Sequence, residues 1–162
     1  MGTLILKKQS TQFLRRELAS ASNIVILGIG NESNDNDSIG LSVAKELEKA
    51  LFSDKCHIFL AGTVPENLTG GIRKMAPSHV IFLDAVDMGK EPGAVEVIDQ
   101  DSITNAGYST HTISLSLLAD YLTQEIGCKV IILGIQCEAN SLQGRMFSLR
   151  KATEQVLSLM PD

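Results

Sequence analysis

Short apolar runs alternate with amphipathic stretches along most of this chain. Five runs, residues 23–27, 57–60, 80–83, 94–98 and 129–135, are rich in β-branched residues and almost continuously apolar. That is the pattern of strands buried on both faces of a sheet. Between and after them, apolar residues recur at helical spacing. Residues 38–52 place Ile39, Val43, Leu47 and Leu51 on one stripe, and 67–75, 113–126 and 146–159 show the same period. Pro65 suits a helix start. Ahead of the first strand, residues 10–20 read as a short amphipathic helix with Phe13, Leu14 and Leu18 on one face. Pro92 and Gly93 mark a turn, so strands three and four are expected to form a hairpin. The other connections run through helices and imply parallel pairs. The expected fold is a three-layer α/β/α sandwich with a mixed, mostly parallel sheet of about five strands.

Composition narrows the class. At 162 residues, 44% apolar and 20% charged, the chain has the make-up of one folded domain rather than a disordered segment. It shows no internal repeat, low-complexity tract or linker. The net charge of −5 and the dispersed Lys and Arg residues exclude a nucleic-acid partner, and the Arg15-Arg16 pair reads as a solvated helix face. The longest apolar runs are strand-sized, so no membrane span is expected. The first eight residues lack the layout of a secretory signal, which leaves the cytoplasm as the expected compartment. Cys56, Cys128 and Cys137 are odd in number, widely spaced and without a CxxC, the signature of reduced structural thiols. A monomer is expected.

In open α/β sheets, sites form beyond the carboxyl ends of the strands. After strand one comes Gly28-Ile29-Gly30-Asn31, followed by a polar loop to Asp37, Ser38, Ile39 and Gly40. A dinucleotide fingerprint would need a third glycine where Ser33 stands, and the loop's carboxylates would repel a pyrophosphate. After strand three comes Asp84-Ala85-Val86-Asp87-Met88-Gly89, in which a carboxylate directly ends an apolar strand. Burial there demands a partner or a cation. His111, in Ser109-Thr110-His111-Thr112, precedes a helix. Asp37, Asp84 and His111 thus form an O,O,N set able to accept nickel, zinc or another divalent ion, with positions left for a foreign ligand. Each also has a structural alternative: Asp37 as the cap of the helix from Ser38, Asp84 as the cap of a neighbouring loop, and His111 as a hydrogen-bonding group near a helix start. Spacing alone does not decide between them.

At these residues the chain resembles the nickel-iron hydrogenase maturation proteases, particularly the hydrogenase 3 type. The resemblance runs from about Asn23 to the C-terminus, with residues 1–22 as an N-terminal extension. It is carried by Gly28 to Asn31 with Asp37 and Gly40, by Pro65-Glu66-Asn67, Ile72-Arg73 and Pro77, and by Asp84-Ala85 with Asp87-Met88-Gly89. It continues through Pro92-Gly93, Ile98-Asp99, Thr110-His111, Ile126-Gly127 and Leu133-Gly134-Ile135-Gln136. Asn36 and Ser38 depart from the hydrogenase 3 pattern, where Asp and Gly are frequent.

The resemblance implies an endopeptidase that recognises nickel already inserted in the precursor large subunit of a nickel-iron hydrogenase and removes its C-terminal extension. Asp37, Asp84 and His111 would be both the nickel contacts and the catalytic residues, and nickel would come with the substrate rather than reside in the enzyme. Two other classes share these features: a nickel-dependent assembly chaperone without cleavage, and a self-sufficient metallohydrolase.

Overall fold

The computed structural model describes residues 2–100, 110–138 and 140–162, with the backbone alone for 2–10, 110 and 111. In chain order the elements are α1 (Gly2–Ala19), β1 (Ile24–Ile29), α2 (Ile39–Ala50), β2 (Cys56–Gly62), a 3₁₀ helix (Pro65–Leu68), α3 (Thr69–Met75), β3 (His79–Ala85), β4 (Val95–Val97), α4 (Thr110–Ile126), β5 (Lys129–Ile135) and α5 (Leu142–Leu159). Every predicted strand is present. Pro65 opens the 3₁₀ helix, where its missing N–H has no bond to lose.

The sheet has the order β2-β1-β3-β5-β4, parallel except for the antiparallel edge strand β4. All six residues of β1 are buried, as are the first six of β3, because helices cover both faces. On one face Ile24, Ile26, Ile81, Leu83, Ile131 and Leu133 pack against α1, α2 and α5. On the other, Val25, Leu27, Val80, Phe82 and Ile132 pack against α3 and α4. The α/β/α sandwich expected from the pattern is the observed architecture.

The hairpin expectation is overturned. β5 lies between β3 and β4, so those two strands never pair. The chain leaving β3 instead crosses the carboxyl end of β5: Val86 N–H donates to Ile135 O (3.1 Å), Gly93 N–H to Gln136 O (2.7 Å), and Gln136 N–H to Ala94 O (2.9 Å). The Pro-Gly turn is real, but it aims β4 at the far side of a strand that comes later in sequence.

The N-terminal helix is longer than expected and is bound to the body. Leu14 and Leu18 are buried in the core, whereas Phe13 is 61% exposed and lies off that stripe. Arg15 Nε donates to Ser158 O on α5 (3.2 Å). At the amino edge of the sheet, the Glu17 carboxylate accepts from Lys129 Nζ and pairs with Nε2 of the buried His79 (3.1 Å), whose Nδ1 lies 2.9 Å from Ser78 Oγ. The hydrogen bond from Lys129, and then that from His79, hold the Glu17 carboxyl below its ordinary value of 4.5.

These packing differences set two expectations. Leu18→Ala removes a fully packed side chain and should cost about 2–4 kcal/mol in urea unfolding, while Phe13→Ala stays within about 0.5 kcal/mol. Equal costs would mean that α1 does not belong to the core. Because the folded carboxyl of Glu17 is depressed, its contribution is complete above pH 4.5 and is lost as the pH falls through the folded value. Glu17→Gln should therefore flatten the acid limb of stability against pH, measured by urea unfolding across that range.

Candidate functional site at the carboxyl edge

The first turn of α2 sits directly on the ends of β1 and β3. A Cβ at Gly40 would overlap the carbonyl oxygens of Leu83 and Ile29, so only a residue without a side chain lets the helix approach this closely. Gly30, at φ +145°, reverses the chain beneath the same helix, and a Cβ there would strike the backbone carbonyl of Asp37. The intervening loop is tied down internally. Asn31 N–H donates to Asp37 O (3.0 Å), Asp37 N–H to Asn34 O (2.9 Å), and Ser33 N–H to Asn31 Oδ1 (3.0 Å). Arg145 of α5 approaches Asp35 at 3.4 Å and anchors the loop from outside. Asp37 is thereby held, half-buried, at the carboxyl edge. It does not cap α2, because the N-cap is Ser38, which makes no side-chain cap bond.

Asp84 is the penultimate residue of β3, at the same edge, and is fully buried, with 0% exposure. Strand alternation places it with Val80 and Phe82 on the α4 side of the sheet. Its register neighbour on β5 is Gly134, which contributes no side chain beside it.

The backbone of His111 lies in the first turn of α4, one turn before the buried Leu115. The seventeen residues of α4 span about 25 Å, roughly the length of β5. A turn through Gly127 and Cys128 joins the helix to the amino end of β5. Its first turn therefore returns to the carboxyl edge. The His111 side chain is outside the described residues. Among the described residues no group of three His, Cys, Asp or Glu side chains is arranged to hold a metal ion.

Close to this edge, a cleft of about 440 Å³ opens between the β2 exit and α4, lined by Thr63, Pro65, Glu66, Ser114, Leu117 and Leu118. The three cysteines are free, and burial pushes each thiol up from its ordinary range, which makes them poor nucleophiles. Among the described residues no helix is long and apolar enough to cross a membrane. One polar residue carried no role in the sequence reading although it stands in the strand-five motif. Gln136 binds the loop that follows Asp84 through both ends of its carboxamide.

Comparison with known proteins gives this arrangement its context. The family of hydrogenase maturation proteases typified by HycI matches residues 41–161, a span that takes in Asp84 and His111 and begins just after Asp37. The hydrogenase 3 maturation protease of Escherichia coli K12 is 36% identical over 115 residues, covering 69% of this chain and 71% of the relative. The crystal structure of the nickel-iron hydrogenase maturation protease HycI from Thermococcus kodakarensis KOD1 aligns with a TM-score of 0.78 at 26% identity, over 91% of this chain and 98% of that one. The hydrogenase maturating endopeptidase HybD of Escherichia coli aligns with a TM-score of 0.64 at 25% identity, over 84% and 90%. Matched over most of its length by that family and sharing the fold of its solved members, the chain belongs to the hydrogenase maturation proteases.

Proposed function

We propose that this protein is an endopeptidase that reads nickel in the precursor large subunit of a nickel-iron hydrogenase and removes its C-terminal extension, with Asp37, Asp84 and His111 as the nickel contacts. The observation that carries the reading is Asp84. In a chain of this family, a fully buried carboxylate ends the central strand at the edge where α/β proteins bind their ligands. Burying a carboxylate costs several kcal/mol unless it has partners, and a divalent cation is a partner that such a group can serve.

Nickel arrives as part of the substrate. Two carboxylates and an imidazole leave coordination positions for the thiolates of the precursor's metal site. Completing that coordination holds the adjoining peptide bond in place, so the enzyme's main contribution is a high effective concentration of the reacting groups. Nickel held in the substrate would supply Lewis-acid polarisation of the scissile carbonyl or of a water, and a carboxylate of the site would take the proton. The cleft between the β2 exit and α4 gives an extended peptide room beside the edge. We place the reaction in the cytoplasm, where free thiols persist, and infer that the enzyme works as a monomer.

Substitution separates this role from a structural one. Asp37→Ala, Asp84→Asn and His111→Ala should each abolish processing of nickel-loaded precursor while lowering stability by no more than about 1 kcal/mol, or even raising it, because clustered functional charges are costly. Were Asp84 a structural cap, Asp84→Asn would cost more stability and the folded fraction would still cleave. Full processing by all three folded variants would refute the assignment. Metal measurements address the two rival classes. Stoichiometric nickel or zinc retained through chelator dialysis, together with cleavage of ordinary peptides, would identify a self-sufficient metallohydrolase. Nickel-dependent binding of precursor without cleavage would identify a chaperone.

A further inference from the structure

The turn that follows Asp84, residues 87–90, is tied by the side chain of Gln136. Gln136, the first residue after β5, accepts through Oε1 from Met88 N–H (2.7 Å) and Lys90 N–H (3.4 Å), and donates through Nε2 to Asp87 Oδ1 (3.2 Å). Asp87 Oδ1 also accepts from Gly89 N–H (3.2 Å), closing the turn. The chemistry leaves one orientation of the amide: two N–H groups require the oxygen, and a carboxylate requires the nitrogen. No other neutral side chain of this length both accepts and donates across such a fork. The consequence reaches Asp84 through Met88. The Met88 sulfur lies over Gly134, where a Cβ would meet it at 3.2 Å, and Gly134 is the register neighbour of Asp84. Met88 packs into the same apolar cluster as Val80 and Phe82, the face to which Asp84 belongs.

We infer that Gln136 is a positioning residue of the processing reaction: its carboxamide, acting with Asp87, fixes the loop 86–90 over the carboxyl edge and so sets the wall beside Asp84. The inference rests on the processing reaction and on the assignment of Asp84 proposed above. Gln136 touches no reacting atom. Its contribution is to keep Met88 and the turn through Gly89 from shifting across the site, where a displacement of about 1 Å costs on the order of a hundredfold in rate.

Exchanging the two functional groups tests this directly. Gln136→Glu keeps the acceptor for Met88 but sets two carboxylates against each other. Asp87→Asn keeps an acceptor for Gly89 and supplies an amide N–H. In the double variant the carboxylate and amide have changed places, which restores the hydrogen bond between positions 136 and 87 but not the acceptance of Gly89 N–H by the same atom. With nickel-loaded precursor, Gln136→Glu should lower kcat about tenfold with KM within about twofold, because docking is retained and alignment is lost. Asp87→Asn should show a partial loss, and the double variant should return to the Asp87→Asn rate. Amide exchange at Met88 and Lys90 should follow the same order, fast in Gln136→Glu and slow again in the double variant. Losses that multiply in the double variant, or a loosened Met88 with an unchanged cleavage rate, would overturn the inference. A wild-type protein that leaves the precursor uncut would instead overturn the processing reading, and the exchange order alone would then decide whether the coupling between Gln136 and the loop stands.

Discussion

The seat of α2 on the ends of β1 and β3 is the constraint from which the carboxyl edge is built. A helix brought against two strand carbonyls must have no side chain at the contact, and Gly40 meets that condition over Leu83 and Ile29. Once the helix is seated there, the loop feeding it has little freedom. Gly30 turns back under the helix, the backbone of Asp37 closes on Asn31, and Arg145 steadies Asp35 from α5. One carboxylate enters the edge from the loop before α2 while another, Asp84, enters from the strand beneath it. A side chain at position 40 would push the helix, and Asp37 with it, away from β3.

The division of labour follows from where each group is buried. Asp84 is buried on β3, whereas Asp37 sits half-buried on a loop held by its own backbone bonds. The backbone of the third candidate, His111, lies in another element, the first turn of α4. A proposed site that draws its candidates from three elements would respond to how those elements pack, and rigid supports serve such a site better than mobile loops. The loop from Val86 to Lys90 has no regular structure of its own; Val86 is bonded to Ile135, and Gln136 ties the turn beyond it. At the opposite edge of the sheet, Glu17, His79 and Lys129 bind α1 to the body.

Much of the fold was legible in the sequence because burial on both faces leaves near-continuous apolar strands, and β1, β3 and β5 show that pattern plainly. Pairing order was less legible. A Pro-Gly turn between two strands ordinarily makes a hairpin, and nothing local in residues 86–94 indicates that β5 will insert between them; that outcome is decided by hydrogen bonds to Ile135 and Gln136, more than forty residues later. Phe13 was misassigned because Leu14 and Leu18 form the buried stripe among the described side chains of α1, and Phe13 lies off it. Asp37, Asp84 and His111 were identifiable as candidates from their places after strands and before a helix, but their roles came from resemblance, since a carboxylate at a strand end suits a cap as well as a ligand. Gln136 went without a role for a simpler reason. A neutral amide in a loop carries no charge signal, and its value lies wholly in the geometry of its two ends.

The central claim is that nickel in the precursor is what the enzyme recognises. The most direct measurement incubates the purified protein with nickel-loaded and nickel-free forms of the same precursor large subunit and weighs the products by mass spectrometry. The account predicts loss of the C-terminal extension from the nickel-loaded form alone, with the nickel-free form left intact. Equal trimming of both forms, or of neither, would contradict it.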